Sequence, residues 1–132
     1  MIGIILMAHG RIAEEVLNSV QNIVGKQDKV WAINILPQEG IGSVKRRLQE
    51  IVGGENLPGG YIIVVDMFGG TPYNACSDVI RSDMVSIISG MNLPIVIALL
   101  NHRKNLLRTE LVKKAISNGR DSVVDVRGRL KD

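Results

Sequence analysis

Two patterns of apolar and polar positions alternate along the chain. Ile2 to Ala8 is an uninterrupted apolar run of strand length, the mark of a strand buried on both faces, and Gly10 ends it. From Ile12 the apolar positions fall at Ile12, Ala13, Val16, Leu17, Val20, Ile23 and Val24, a helical stripe with Gly25 as its C-terminal stop. Val30 to Leu36 predicts a second strand and Pro37-Gln38-Glu39-Gly40 a turn. Ile41, Val44, Leu48, Ile51 and Val52 recur at three- and four-residue spacing and predict a second helix, with Lys45, Arg46 and Arg47 on its wet side. Gly53 to Gly60 reads as a loop, since it is dense in glycine and contains Pro58.

Tyr61-Ile62-Ile63-Val64-Val65-Asp66 repeats the first pattern, an apolar run ending in a polar residue. After Met67-Phe68-Gly69-Gly70, Thr71 is expected as an N-cap and Pro72 as the first helical residue, with Ala75, Cys76, Val79 and Ile80 as the apolar stripe. Val85 to Ser89 predicts a fourth strand closed by Gly90. Asn92 to Leu100 is too short a run to declare its period, and a short helix from about Pro94 is the preferred reading. Leu106, Leu107, Leu111, Val112, Ala115 and Ile116 predict a last long helix ended by Asn118-Gly119, and Ser122 to Val126 a weak final strand. Strands alternating with helices imply an α/β fold of three layers, with a mainly parallel sheet and helices on both faces. In a flavodoxin-like strand order of 2-1-3-4, ligands bind where the order reverses, at the ends of strands one and three. Those ends carry His9 and Asp66.

Composition narrows the class. With 132 residues, 45% hydrophobic and 22% charged, the chain fits one globular domain over 1–132. Folding should reduce ~21,000 Å² of accessible surface to about 7,000 Å². The only rings besides histidine are Trp31, Phe68, Tyr61 and Tyr73, too few for base stacking, and a net charge of +3 falls short of a nucleic-acid footprint. One cysteine and two histidines offer neither an internal disulfide nor zinc-ligand spacing, so no metal or cofactor is expected and a reducing cytoplasm fits best. No basic residue precedes the first apolar run, against a signal peptide, and Leu93 to Leu100 is broken by Pro94 and too short to span a bilayer.

The chemistry-bearing residues sit at the strand ends. His9 lies between Ala8 and Gly10, small neighbours that leave its ring accessible. Asp66 ends an apolar strand and needs a partner or caps the next loop. A carboxylate on one imidazole nitrogen fixes the tautomer and leaves the other nitrogen free as nucleophile, base or metal ligand. Gly69-Gly70-Thr71 offers unpaired backbone N–H groups at a helix start, suited to an anion such as a phosphoryl group. Together these point to phosphoryl transfer through a phosphohistidine, with His9 as nucleophile, Asp66 orienting it and Gly69, Gly70 and Thr71 holding the phosphoryl group. A hydroxyl relay through Thr71 is weaker, and His102 in the basic loop reads as solvated. Met67, Phe68 and Tyr73 beside the site are candidate exposed docking anchors, with Met67 and Phe68 as core under the loop as the alternative. Lys45-Arg46-Arg47 and the cluster of Arg103, Lys104, Arg108, Lys113 and Lys114 read as solvated helix faces, and Cys76 as a buried small hydrophobe.

Met7-Ala8-His9-Gly10, the run Asp66-Met67-Phe68-Gly69-Gly70-Thr71-Pro72-Tyr73-Asn74-Ala75 and Gly90-Met91-Asn92-Leu93-Pro94 resemble, in order and spacing, the IIA component (EIIA) of the mannose-family sugar phosphotransferase system. The resemblance implies that His9 accepts a phosphoryl group from the carrier protein HPr, in the phosphoenolpyruvate-dependent system, and passes it to a IIB component. Asp66 would hydrogen-bond His9, Thr71 would lie beside the phosphoryl group, and the membrane components IIC and IID would be reached only indirectly. It also implies a homodimer in which the last strand, here Ser122 to Val126, crosses to the partner. Many relatives carry a fused IIB domain behind a linker, which this chain lacks, so a separate IIB is expected. Two alternatives stay open: the phosphotransfer subunit of dihydroxyacetone kinase, and a regulatory phosphohistidine module. A receiver-like domain with Asp66 as acceptor fits poorly, because Glu14 and Glu15 lie too far into the first helix.

Overall fold

A computed structural model describes residues 1–79 and 82–130. The elements run β1 (Gly3–His9), α1 (Ile12–Val24), β2 (Val30–Ile35), α2 (Ile41–Gly54), β3 (Tyr61–Val65), α3 (Gly70–Ala75), β4 (Val85–Ser89), α4 (Leu93–His102), α5 (Arg108–Asp121) and α6 (Val126–Leu130). The four strands form one parallel sheet in the order β2-β1-β3-β4, as the alternating pattern predicts.

The continuous apolar runs have a simple cause: successive residues point to opposite faces, and both faces are covered. Ile4, Leu6 and Ala8 of β1, with Ile62 and Val64 of β3, pack among Ala13 and Val20 of α1, Val96 and Leu99 of α4, and Leu111 and Ala115 of α5. Ile5, Met7, Ile63 and Val65 face the other way, against Val44 and Leu48 of α2 and Ala75 of α3. β1 and β3 are the two central strands, so their C-terminal ends emerge side by side from the middle of the core. Among the described residues no helix is long and apolar enough to cross a membrane.

Several boundaries differ from the sequence expectation. Helix α2 continues through Gly53 and Gly54, where a loop is predicted. Tyr61 Oη donates to the carbonyls of Ile51 (3.2 Å) and Glu55 (2.8 Å), supplying a partner for one of the carbonyls a helix end leaves open. That tertiary support outweighs the poor helix propensity of glycine. Helix α5 likewise runs past Asn118-Gly119 to Asp121. Gly119 is there for contact with α4, since a Cβ would collide with the Ile95 side chain.

Thr71 is not an N-cap. Gly69 (φ 80°) and Gly70 (φ 81°) turn the chain early, α3 begins at Gly70, and no side chain caps it. The helix ends at Ala75, with Cys76 at its C-cap; Ile80, the last residue of the predicted stripe, lies outside the described residues.

The largest correction concerns Ser122 to Val126, expected as a strand. Ser122 is a turn, residues 123–125 are irregular, and Val126 opens α6. Asp125 Oδ1 accepts the Arg127 backbone N–H at 3.1 Å, a local cap that favours helix, and within one chain the segment pairs with no strand. No residue of α6 is buried. Accordingly the accessible surface is 7711 Å², larger than the about 7,000 Å² expected for a compact chain of this size.

Candidate active site

Parallel pairing brings the functional side chains together. Met7 of β1 pairs with Val65 of β3, so the residues that follow, through His9 and Asp66, leave the sheet as neighbours. His9 pairs on its other side with Ile35, and Gly10 (φ 60°) donates its N–H to the Ile35 carbonyl at 2.8 Å before the chain enters α1.

Where β3 ends, its side chain takes over from the backbone ladder. Asp66 Oδ2 accepts the His9 backbone N–H at 3.1 Å and lies 2.9 Å from His9 Nδ1. The Asp66 side chain is 15% exposed and that of His9 47% exposed, a shielded carboxylate behind an accessible ring. Burial opposes ionisation of Asp66, but the hydrogen bonds from the His9 ring and backbone outweigh it and hold the carboxyl below its ordinary pKa. An ionised carboxylate only accepts, so in the neutral imidazole the proton sits on Nδ1 and the lone pair on Nε2. Asp66 Oδ1 is buried without a hydrogen-bond partner.

The neighbouring loops start from the same end of the sheet. Backbone N–H groups of Gly90 (φ 93°) and Met91 both donate to the Val65 carbonyl at 3.1 Å, tying the turn before α4 to the end of β3. Asn92 then caps α4 by accepting the Ile95 N–H at 2.9 Å. Phe68 is 76% and Met67 55% exposed, so neither fills the core. Tyr73 is half-buried, with its ring 5.0 Å from that of Phe68 at a 44° tilt. Gly69 precedes α3, and Gly70 and Thr71 are its first two residues.

Two side-chain networks near the site escape sequence reasoning. Arg11, directly after His9-Gly10, pairs with Glu14 Oε2 through Nε (2.9 Å) and Nη2 (2.7 Å), and Glu14 N–H donates to Asn34 Oδ1 at 3.2 Å. Arg47, expected on a solvated face, instead reaches back to β2. Its Nη2 donates to the Asn34 carbonyl at 2.8 Å and to Glu39 Oε2 at 2.6 Å. Glu39 also accepts from Ser43 Oγ (2.8 Å) and the Leu36 N–H (3.3 Å). The Ser43 bond, opposed by burial and reinforced by Leu36 and Arg47, keeps this carboxyl below its ordinary pKa. The one signal available was Asn34, a lone amide in an otherwise apolar strand.

Other candidates lie elsewhere. His102 occupies the last turn of α4, whose other end faces the site, and among the described residues no cluster of three metal-ligating side chains exists. Cys76 is buried, its Sγ donates to the Pro72 carbonyl at 3.3 Å, and burial pushes its thiol up to about 12. It is no nucleophile.

Comparison with known proteins converges on one family. A family model described as "PTS system fructose IIA component" matches residues 3–116. The mannose-specific EIIAB component of Escherichia coli K12 is 29% identical over 124 residues, covering 92% of this chain; the chain spans only 38% of that relative's length. The fructose-specific EIIA component of Bacillus subtilis 168 is 30% identical over 122 residues, 89% of this chain and 82% of the relative. The crystal structure of phosphotransferase system component EIIA from Streptococcus agalactiae superposes with a TM-score of 0.89 at 28% identity, covering 97% of this chain and 99% of that one. The His9–Asp66 geometry therefore sits in a scaffold shared across these proteins, and the chain belongs to the EIIA-man family of phosphotransferase-system IIA components.

Proposed function

We propose that the chain is a phosphohistidine carrier that takes a phosphoryl group from phosphorylated HPr onto His9 and passes it to a IIB component during sugar uptake. One observation carries the reading: Asp66 Oδ2 stands 2.9 Å from Nδ1 of an accessible histidine, which leaves Nε2 as the free nucleophile. In the transfer the Nε2 lone pair attacks phosphorus in line, one N–P bond forms as the donor's equivalent bond breaks, and the Nδ1 proton stays on the Asp66 side. Bonds made and broken are of one kind, so positioning and charge stabilisation supply the catalysis. Gly69, Gly70 and Thr71, at the turn into α3, are assigned to the phosphoryl oxygens, and exposed Met67 and Phe68 with Tyr73 to partner docking.

The setting proposed is cytoplasmic, with the membrane components IIC and IID met only through IIB. A homodimer joined through the C-terminal segment is supported by Val123 (79%), Val126 (62%) and Leu130 (81%), apolar side chains left exposed beyond α5. The deciding experiment supplies phosphoenolpyruvate, enzyme I and HPr with labelled phosphate. Wild type should acquire acid-labile, base-stable label and hand it to a IIB protein, and His9→Ala should acquire none. Label that persists in His9→Ala would sink the assignment.

A further inference from the structure

At the end of the sheet opposite His9, two arginines bind the N-terminal ends of all four strands. Arg103 donates to the carbonyls of Ile2 (3.2 Å), Asp28 (2.5 Å) and Lys29 (3.0 Å), at the starts of β1 and β2. Arg108 donates to the Gly59 carbonyl (3.0 Å), to Ser86 Oγ (3.0 Å) and to the Asp83 carbonyl, at the starts of β3 and β4. Every one of these partners is neutral. Among the described residues neither guanidinium forms an ion pair, although Asp28 lends Arg103 a weaker favourable field.

Both arginines wall one cavity of about 380 Å³. Arg103 is 4% exposed, and its buried Nε has no hydrogen-bond partner. The same cavity meets the start of α5, a 14-residue helix with no side-chain cap. Its first intrahelical bond is made by Leu111 N–H to the Leu107 carbonyl at 2.9 Å, so the N–H groups of Arg108, Thr109 and Glu110 precede the ladder. Strand clamping explains the carbonyl contacts. It does not explain why two guanidiniums that form no ion pair among the described residues meet an uncapped helix start in one cleft.

We propose that this cleft is a binding site for a small oxyanion carrying a short apolar body. The charge is matched by Arg103, Arg108 and the positive end of α5. The body is matched by Ile2, Met84, Leu106 and Leu107, the last of which is left 72% exposed at the cleft. Seven residue steps along β1 carry the chain from Ile2 to His9, roughly 23 Å of strand, so the site is distinct from the phosphoryl-transfer centre and does not depend on its assignment.

Backbone and arginine Nε–H NMR titrations test this, with phenyl phosphate, inorganic phosphate and, at matched ionic strength, chloride as probes. Saturable shifts are expected at Leu107 to Leu111 and at Arg103 and Arg108 Nε–H, with phenyl phosphate binding roughly tenfold tighter than inorganic phosphate because its ring covers the apolar wall. Thr109→Glu places a carboxylate on an exposed first-turn position that a helix start tolerates, and should weaken binding by roughly tenfold or more while the rest of the spectrum superposes. Leu107→Ser should erase the preference for phenyl phosphate and keep the phosphate response. The proposal is overturned if these amides shift no more than in chloride, if Thr109→Glu leaves the titration unchanged, or if the probes saturate only residues around His9.

Discussion

A single oxygen, Asp66 Oδ2, accepts from both the backbone N–H and the ring Nδ1 of His9, at 3.1 and 2.9 Å. The carboxylate thus fixes the position of the main chain and the orientation of the ring together. Rotation of the imidazole away from this position would cost a charge-assisted hydrogen bond.

Replacing Asp66 by Asn keeps the shape and removes the charge. The amide can present a donor to Nδ1, which moves the ring proton to Nε2 and blocks the attacking lone pair. We expect phosphoryl transfer from HPr to slow by about 10- to 100-fold, in the range for loss of an orienting partner. Rapid-quench measurement of phosphohistidine formation reads this directly, and an unchanged rate would remove Asp66 from the mechanism.

The same substitution has a pH signature. Asp66 titrates lower in the folded protein than in the unfolded chain, so its contribution is present above the unfolded pKa of about 3.9 and is lost as pH falls through the folded value. Wild type should therefore melt above Asp66→Asn at neutral pH, and the gap should close below about pH 4. Melting curves from pH 7 to pH 2 check it. A gap constant across that range would mean the carboxylate charge is not what stabilises the site.

Phe68 carries a different expectation. The residue is 76% exposed, so Phe68→Ser should shift stability by less than about 0.5 kcal/mol. If it anchors a partner, the KM for phosphorylated HPr should rise by roughly tenfold or more with kcat largely kept. Equal kinetics for the two proteins would assign the exposed ring no role in docking this donor.

How much of this was legible in sequence depended on the range of the interactions involved. β1 and β3 could be read because burial on both faces writes an unbroken apolar run, and His9 and Asp66 stood out as the polar residues ending those runs. Arg47, Arg103 and Arg108 read as solvated in the sequence, yet each is bound: their partners are backbone carbonyls together with Glu39, Gln27 and Ser86, and neither a carbonyl nor a distant side chain marks the arginine that will reach it. Arg103 reaches Ile2 across 101 positions. Ser122 to Val126 forms no strand within one chain, because a strand exists only where a second strand is supplied, and the sequence reading assigns that second strand to a partner chain.

Arg47 offers a check on that lesson. Its Nη2 bridges Glu39 and the Asn34 carbonyl, so Arg47→Ala removes the ion pair of a half-buried carboxylate, which keeps only its bonds from Ser43 and Leu36, and takes the Arg47 donor from the Asn34 carbonyl. A loss of about 1–3 kcal/mol is expected from chemical denaturation. A truly solvated arginine would cost less than about 0.5 kcal/mol.

Gly119 makes the sharpest test of packing against propensity. Alanine is favoured over glycine inside a helix by about 1 kcal/mol, so on propensity alone Gly119→Ala should stabilise α5. The buried position reverses the sign. A Cβ there would collide with Ile95 of α4, and Asn92 Oδ1, which caps α4 through Ile95 N–H, lies 3.3 Å from the same point. Asn92 Nδ2 also donates to the Gly119 carbonyl at 3.3 Å, so pushing the helices apart strains that link as well. Overpacking of this kind costs about 1–3 kcal/mol, enough to leave Gly119→Ala net destabilised. Since Asn92 follows directly on the Gly90-Met91 turn that is tied to the end of β3, Gly119→Ala should also lower the phosphoryl-transfer rate, whereas a Gly53→Ala control, where a Cβ meets nothing within 4 Å, should not.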